Sequence, residues 1–306
     1  MRVIVAGLGV QGYKRRAHAG SDFVASVDPK NQEAEYRDLH DVPLDLYDTV
    51  LACVPDAPKY DLLQYCLSNS KHVLVEKPLS TINDDQICEL QDIARIKGVV
   101  CYTAYNHRFE PSFIRMQDLI ASGELGTLYS CRMFYGNGTA RLVRNSAWRD
   151  QGSGALSDLG SHLLDTCSFW FGADLSSFQL TSVHRFENRA PDHVVICSEN
   201  TCPRIELEMT LCMWRNHFTC DLLAENGTVH IDSLCKWGPS TFTYRKRVLP
   251  AARPLESQTT FVESDPTWER EYKYFRNLVS AGHTTDLSND LYLQSNLRRL
   301  SVSTLI

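Results

Sequence analysis

No run of about 18 apolar residues occurs in the sequence, which excludes a membrane-spanning helix. There is no block of lysines and arginines and no interleaving of basic with aromatic side chains. With 31 basic against 37 acidic residues the formal charge is -6, so nothing draws the chain to nucleic acid or to an anionic membrane. The 11 cysteines are odd in number and include no C-x-x-C and no His/Cys pair at metal spacing. They read as reduced, mostly buried thiols, with neither a disulfide framework nor a metal site. A charged leader followed by an apolar stretch, an internal repeat and a low-complexity segment are also lacking. These absences lead to the expectation of a globular cytoplasmic protein without metal, nucleic-acid or membrane partners. At 306 residues and 43% hydrophobic content, two domains can each bury a sizeable core.

The strongest signal is at the N-terminus. An apolar strand, Val3 to Ala6, runs directly into Gly7-Leu8-Gly9-Val10-Gln11-Gly12, and a second strand, Phe23 to Val27, ends on Asp28. This is a dinucleotide fingerprint: Gly7 for the tight turn, Gly9 for backbone approach to a pyrophosphate, and Gly12 for close packing of a helix whose N-terminus faces the phosphates. Asp28 stands where a carboxylate binds the two ribose hydroxyls, which argues for NAD over NADP because a 2′-phosphate there meets like charge. Arg15, Arg16 and Lys30 are the cations that could oppose this preference, unless they are a solvated face.

The first third alternates strands and helices: a strand from Asp48 to Val54, a helix from about Lys59 to Leu67, a strand at His72 to Val75, a helix from about Asp84 to Lys97 stopped by Gly98, and a strand from Val99 to Tyr105. Such alternation predicts a doubly wound parallel sheet with its ligand crevice at the carboxyl ends of the strands. Val54 and Pro55, and Glu76 and Lys77, fall at such ends and complete the expected cofactor-binding set with Gly7, Gly9, Val10, Gln11, Gly12 and Asp28. After about residue 120 the pattern becomes strands: Leu128 to Tyr135, Phe178 to Phe186, His193 to Ser198, Ile205 to Trp214, Phe218 to Leu223, Val229 to Ile231 and Phe242 to Val248. Asn226-Gly227 is a hairpin signal. An antiparallel sheet follows, with helices from about Pro266 to Ala281 and from Leu291 onward. The division expected is therefore 1–120 for a Rossmann domain and 121–306 for a substrate-binding α+β domain with a large open antiparallel sheet.

Two places carry chemistry beyond the dinucleotide site. In Glu76-Lys77-Pro78 the proline restricts Lys77 to an extended backbone at a strand end, which aims the ammonium into the crevice unless Lys77 is simply a surface lysine. In the segment Gly152 to Asp165 a glycine-spaced turn feeds a helix on which Asp158 and His162 are four apart, on one face. A histidine oriented by a carboxylate is a natural general base near neutral pH. The plainer alternative makes Asp158 an N-cap and His162 a core histidine.

In the order GLGVQG, VLVEKPLS, YNHRFEPSF, SGELGTL, Trp148-Arg149, GSGALSDLGSHLLD and AENGTVHID, the chain resembles the Gfo/Idh/MocA oxidoreductases, which include glucose-fructose oxidoreductase and inositol dehydrogenases. The resemblance implies a Rossmann domain followed by an open-sheet domain often used in oligomer contacts, here a homodimer or homotetramer. It also implies that Lys77 is the catalytic lysine, and Asp158 and His162 the D-x-x-x-H pair. His162 would take the proton of a substrate hydroxyl, Asp158 would orient it, and Lys77 would bond the reacting oxygen while hydride passes to nicotinamide. Two departures stand out. Val54-Pro55-Asp56-Ala57-Pro58-Lys59 replaces the usual T-P-N-x-x-H, and the stretch from Asp28 to Tyr47 is short.

Candidate substrate residues are Asn106, Arg108, Tyr135, Asn137, Arg141, Arg144, Trp148 and Arg149, either a pocket with arginines for a carboxylate or diphosphate or, for Arg141, Arg144 and Arg149, a solvated basic loop. A sugar or nucleotide sugar is preferred over a bare inositol. The expected activity is an NAD-dependent dehydrogenase acting on a secondary alcohol. The alternatives are an enzyme that recycles tightly held NAD, in oxidoreduction or glycosidic cleavage, and a non-catalytic NAD or metabolite sensor.

Overall fold

The computed structural model describes residues 1–81, 83–146, 149–172, 178–198 and 201–304. They divide into two compact units, Met1–Asn106 with Trp268–Gln294, and His107–Thr267 with Ser295–Ile306. The chain thus returns to its first unit late, where the sequence pattern suggests a single division near residue 120.

In the first unit five parallel strands, β1 (Val3–Ala6), β2 (Phe23–Val27), β3 (Thr49–Ala52), β4 (His72–Glu76) and β5 (Cys101–Ala104), lie in the order β2-β1-β3-β4-β5. β1, β3 and the middle of β4 are buried on both faces, which is why they read as continuous apolar runs rather than as alternation. Ile4, Val50, Val73 and Val75 point to one face and pack with Leu63 and Leu67 of α2 (Lys59–Ser68) and Ile87 and Leu90 of α3 (Asp84–Lys97). Val3, Val5, Leu51 and Leu74 point to the other, where Ala19 of α1 (Val10–Ala19) and Tyr272 and Phe275 of α7 (Thr267–Ser280) cover them. The late return of the chain supplies half of that second layer. α3 begins and ends as its sequence dictates: Asn83 accepts from the Gln86 N–H at 3.0 Å, acidic Asp84 and Asp85 fill the first turn, and Gly98 takes the left-handed conformation past the last residue.

The crossover from β2 to β3 contains no α-helix. Tyr36 instead bridges Val27 in parallel, and a single 3-10 turn, Leu39–Asp41, leads back to the sheet. This is how the short stretch after Asp28 closes the connection.

The second unit is built on eight strands: β6 (Leu128–Gly136), β7 (Phe178–His184), β8 (His193–Ser198), β9 (Arg204–Thr210), β10 (His217–Ala224), β11 (Gly227–Asp232), β12 (Ser240–Lys246) and β13 (Leu255–Phe261), in the order β13-β12-β11-β10-β6-β9-β8-β7. The expectation of a wholly antiparallel sheet needs one correction, since β6 and β9 run parallel. A parallel pair needs a long crossover, and here α5 (Ala140–Arg144), α6 (Ser161–Phe171), β7 and β8 all intervene. Met133, Leu207, Phe218, Leu222 and Val229 line the buried face, against which α4 (Pro111–Ala121) and α6 pack, Phe113 meeting Trp170 edge-on and Phe218 at a tilt. The outward face carries Arg132 paired with Glu206 and Glu208. α8 (Ser288–Thr304) ends the described chain.

Because Phe275 is fully buried beneath β1, β3 and β4, Phe275→Ala should cost about 3–5 kcal/mol. Denaturant unfolding checks this; a loss under about 1 kcal/mol would mean that α7 is not part of that core.

Candidate active site

The first unit forms its dinucleotide turn as the glycine spacing requires. Gly7 has φ +92°, and a Cβ on it would collide with the Cys53 carbonyl, while one on Gly12 would collide with the Gly7 carbonyl. Gly9, at the N-cap of α1, faces open space, so its backbone is free to approach a pyrophosphate at a helix N-terminus. Val10 is exposed beside it, and Gln11 also faces outward. The Asp28 carboxylate is already oriented: Oδ2 accepts the Leu8 N–H and Oδ1 accepts those of Lys30 and Asn31, each at 2.8 Å. Partial burial works against ionisation, but the N–H groups of Asn31, Lys30 and Leu8, helped by Arg37, hold the carboxyl below its ordinary value. The turn, the open cradle at Gly9 and an ionised, fixed Asp28 fit an adenine dinucleotide whose ribose offers two hydroxyls.

The cations weighed against NAD are mostly committed elsewhere. Arg15 is buried, bonded to Glu76 at 2.7 Å and Glu271 at 2.6 Å, and Arg16 lies over the Phe23 ring at 4.7 Å. Lys30 is exposed, and Arg37, which the sequence reading passes over, donates to the Asp28 carbonyl at 3.3 Å.

Glu76 ends β4 and Lys77 follows it directly. Oε1 of Glu76 accepts from Arg15 Nε at 2.7 Å, which holds this corner to α1. Lys77 is half-buried, and its bond to Pro78 is cis. Val54 is half-buried and Pro55 exposed after β3. Asn106, buried, closes this stretch of the first unit.

In the second unit, Asp158 lies in a π-helical turn, Leu156–Gly160, that leads into α6. It is therefore not an N-cap, and single π turns of this kind are frequent at functional sites. The Asp158 carboxylate stands 3.6 Å from Arg149, an ion pair open enough to solvent to contribute little stability. His162, in the first turn of α6 and 8% exposed, stacks face to face on His107, with ring centroids 3.9 Å apart and planes 14° apart. Tyr135 meets His162 edge-on at 6.1 Å, and burial pushes its phenol well up.

His107 is a residue the sequence reading quotes within YNHRFEPSF without giving it a role. Lys236 Nζ stands 2.6 Å from His107 Nε2 and 3.5 Å from the Tyr135 hydroxyl. Since an ammonium only donates, Nε2 accepts and the proton of a neutral His107 ring belongs on Nδ1. Two buried pairs fix this arrangement. Arg108 grips Asp165 of α6, Nε to Oδ2 at 2.9 Å, and so holds the His107 turn against the helix that carries His162. Glu110, fully buried and with its carboxyl raised by that burial, accepts the Cys235 N–H at 3.0 Å and pins the turn carrying Lys236 and Trp237. No local pattern in the sequence marks Lys236; it reaches its partner from 129 residues away.

Of the remaining candidates, Arg141 is 81% exposed and 3.5 Å from Glu187, Arg144 is exposed on the same short helix, and Asn137 caps the start of that loop by accepting from Thr139. Trp148 lies outside the described residues. Among the described residues, no group of three or more His, Cys, Asp or Glu side chains is placed to hold a metal ion, and no helix is long and apolar enough to cross a membrane.

Fold and sites together define a dinucleotide-binding protein with an appended open-sheet unit. The family model for the oxidoreductase family with an NAD-binding Rossmann fold matches residues 1–105, and that for the GFO/IDH/MocA C-terminal domain matches residues 113–230. The chain belongs to the Gfo/Idh/MocA oxidoreductase family, and its first unit is an NAD-binding Rossmann fold.

An uncharacterized oxidoreductase of Schizosaccharomyces pombe is 27% identical over 191 residues, 55% of this chain and 51% of that protein. The scyllo-inositol 2-dehydrogenase (NADP+) of Bacillus subtilis is 29% identical over 126 residues, 40% of this chain and 34% of that protein. The matched region thus spans about half or less of the length of these relatives. Levoglucosan dehydrogenase, solved in complex with NADH and L-sorbose, has the same fold at a TM-score of 0.84 and 16% identity, with 100% of this chain and 97% of that one covered.

With its folded-state value depressed, Asp28 contributes stability that is fully present above the ordinary carboxylate value of about 3.9 and lost as pH falls through the lower folded value. Asp28→Asn should therefore lose less stability than the parent between about pH 5 and about pH 3. Urea unfolding across that range decides; equal losses would mean that Asp28 is not held ionised by its three N–H partners.

Proposed function

We propose that the chain is an NAD-dependent dehydrogenase that moves hydride between a secondary alcohol of a sugar or nucleotide sugar and nicotinamide. The observation that carries this reading is the supported imidazole of His162: a buried histidine, stacked on a second ring, preceded by an aspartate on a π turn, in a chain whose other unit holds NAD. Nicotinamide supplies the hydride acceptor when bound. His162 takes the hydroxyl proton, and Asp158 favours the imidazolium that results. Lys77 donates to the reacting oxygen and stabilises its developing negative charge. Asn106, Arg108, Tyr135, Trp148 and Arg149 are proposed to surround the substrate, with Arg108 acting through Asp165 to hold the His107 turn. Asp28, Val54, Pro55 and the glycine turn serve the cofactor. A homodimer or homotetramer belongs to the same proposal.

Support for a sugar-like substrate comes from the relatives, which include an inositol dehydrogenase and a glucose-6-phosphate 3-dehydrogenase by name. Mixing the protein with NAD+ and a panel of sugars, inositols and nucleotide sugars should raise the absorbance of reduced nicotinamide for one class. No rise for any class, with NAD+ bound, would contradict the dehydrogenase reading. If diphosphate-bearing ligands bind no better than free sugars, the nucleotide-sugar part is wrong.

Removing the general base should cost at least about 10²-fold in kcat for His162→Ala while NAD+ affinity stays near the parent value. Steady-state kinetics with a binding titration checks both; unchanged turnover removes His162 from the reaction.

A further inference from the structure

Lys59 is the first residue of α2, where the positive end of the helix dipole disfavours a cation. Its side chain is nevertheless 2% exposed. A buried ammonium is costly unless all its protons are used, and Lys59 uses all three. Nζ donates to Asp56 Oδ1 at 2.7 Å, to the Glu76 carbonyl at 3.1 Å and to the Pro78 carbonyl at 2.7 Å. The two carbonyls belong to the residues immediately before and after Lys77. The Glu76 side chain is bonded separately to Arg15, so one residue of the corner is gripped at both its carboxylate and its carbonyl.

Nothing about helix stability calls for a lysine at this position. The charge makes sense as a clamp: Asp56 neutralises it from the loop after β3, and charge-assisted bonds of this strength resist displacement more than neutral ones do. The site also coincides with a departure from the family's usual T-P-N-x-x-H, at Lys59 itself.

We propose that Lys59 is a positioning residue for Lys77, fixing the backbone on both sides of it so that its ammonium is presented in one orientation. The inference rests on Lys77 having the role given above, and its test includes a readout that does not depend on turnover. Trace acetylation with acetic anhydride, followed by mass spectrometry, reports the reactivity of the Lys77 amine relative to exposed Lys97 in the cofactor-free protein and with NAD+.

In Lys59→Met, the Lys77 rate should change severalfold while Lys97 is unaffected and NAD+ affinity is retained. Lys59→Arg, which keeps the charge, should restore much of the parent rate. On the substrate identified for the parent, a misplacement of this size should lower kcat by about 10²-fold with KM little changed, whereas a merely structural lesion would lower the active fraction and leave kcat per folded molecule intact. An unchanged Lys77 reactivity in folded Lys59→Met overturns the proposal, as does failure of both variants to fold, which would assign Lys59 to stability alone. If the parent oxidises nothing but the labelling responds as stated, the dehydrogenase reading fails and the positioning of Lys77 stands.

Discussion

The guanidinium of Arg15 is the interaction on which the first unit depends. It is 1% exposed and bonded at once to Glu76 at the end of β4 and to Glu271 on α7, with the Trp268 ring 4.3 Å away. Burial would weaken its hold on its proton, and the carboxylates of Glu271 and Glu76 more than reverse that. Removing one partner of such a pair leaves a buried charge uncompensated, at a cost of about 3–5 kcal/mol. Through this one side chain the helix that faces the cofactor phosphates, the corner that presents Lys77 and the helix that closes the second face of the sheet are set relative to each other. Lys59 repeats the principle on the opposite side of the same corner.

The second unit solves its own problem in the same way. Its candidate site residues lie on or beside short irregular turns, at 107–109, 156–160 and 235–237, which have little hydrogen-bonding of their own to hold them. Arg108 with Asp165, and Glu110 with the Cys235 N–H, tie these turns to α6 and to one another. The stack of His107 on His162 is the result. In both units buried or half-buried polar side chains hold irregular backbone in place: Arg15 and Lys59 in the first, Arg108 with Asp165 and Glu110 in the second.

What the sequence discloses follows from whether the physics is local. The glycine turn, Asp28 and the bounds of α3 depend on neighbours a few residues away, and they read cleanly. β13 does not: Leu255-Glu256-Ser257-Gln258-Thr259-Thr260-Phe261 is almost wholly exposed and shows no alternation of apolar with polar residues. α4 carries a usable signal, Pro111 at its first turn with Phe113 and Met116 on one face, that the reading passes over. α7 has an apolar stripe that marks it as a helix, but nothing in that stripe says which sheet it covers. Arg15 looks like a surface arginine until its partners arrive from 61 and 256 residues away. His107, Lys236 and Lys59 are legible only once tertiary contacts bring their partners together.

The Asp28 carboxylate, which three backbone N–H groups hold ionised, fits a ribose with two free hydroxyls. Calorimetric titration of the protein with NAD+ and, separately, NADP+ measures this directly. Binding of NAD+ at least about tenfold tighter, a difference of about 1.4 kcal/mol, is the predicted result. Equal or tighter binding of NADP+ would contradict it and give Arg37 and Lys30 the role of holding a 2′-phosphate.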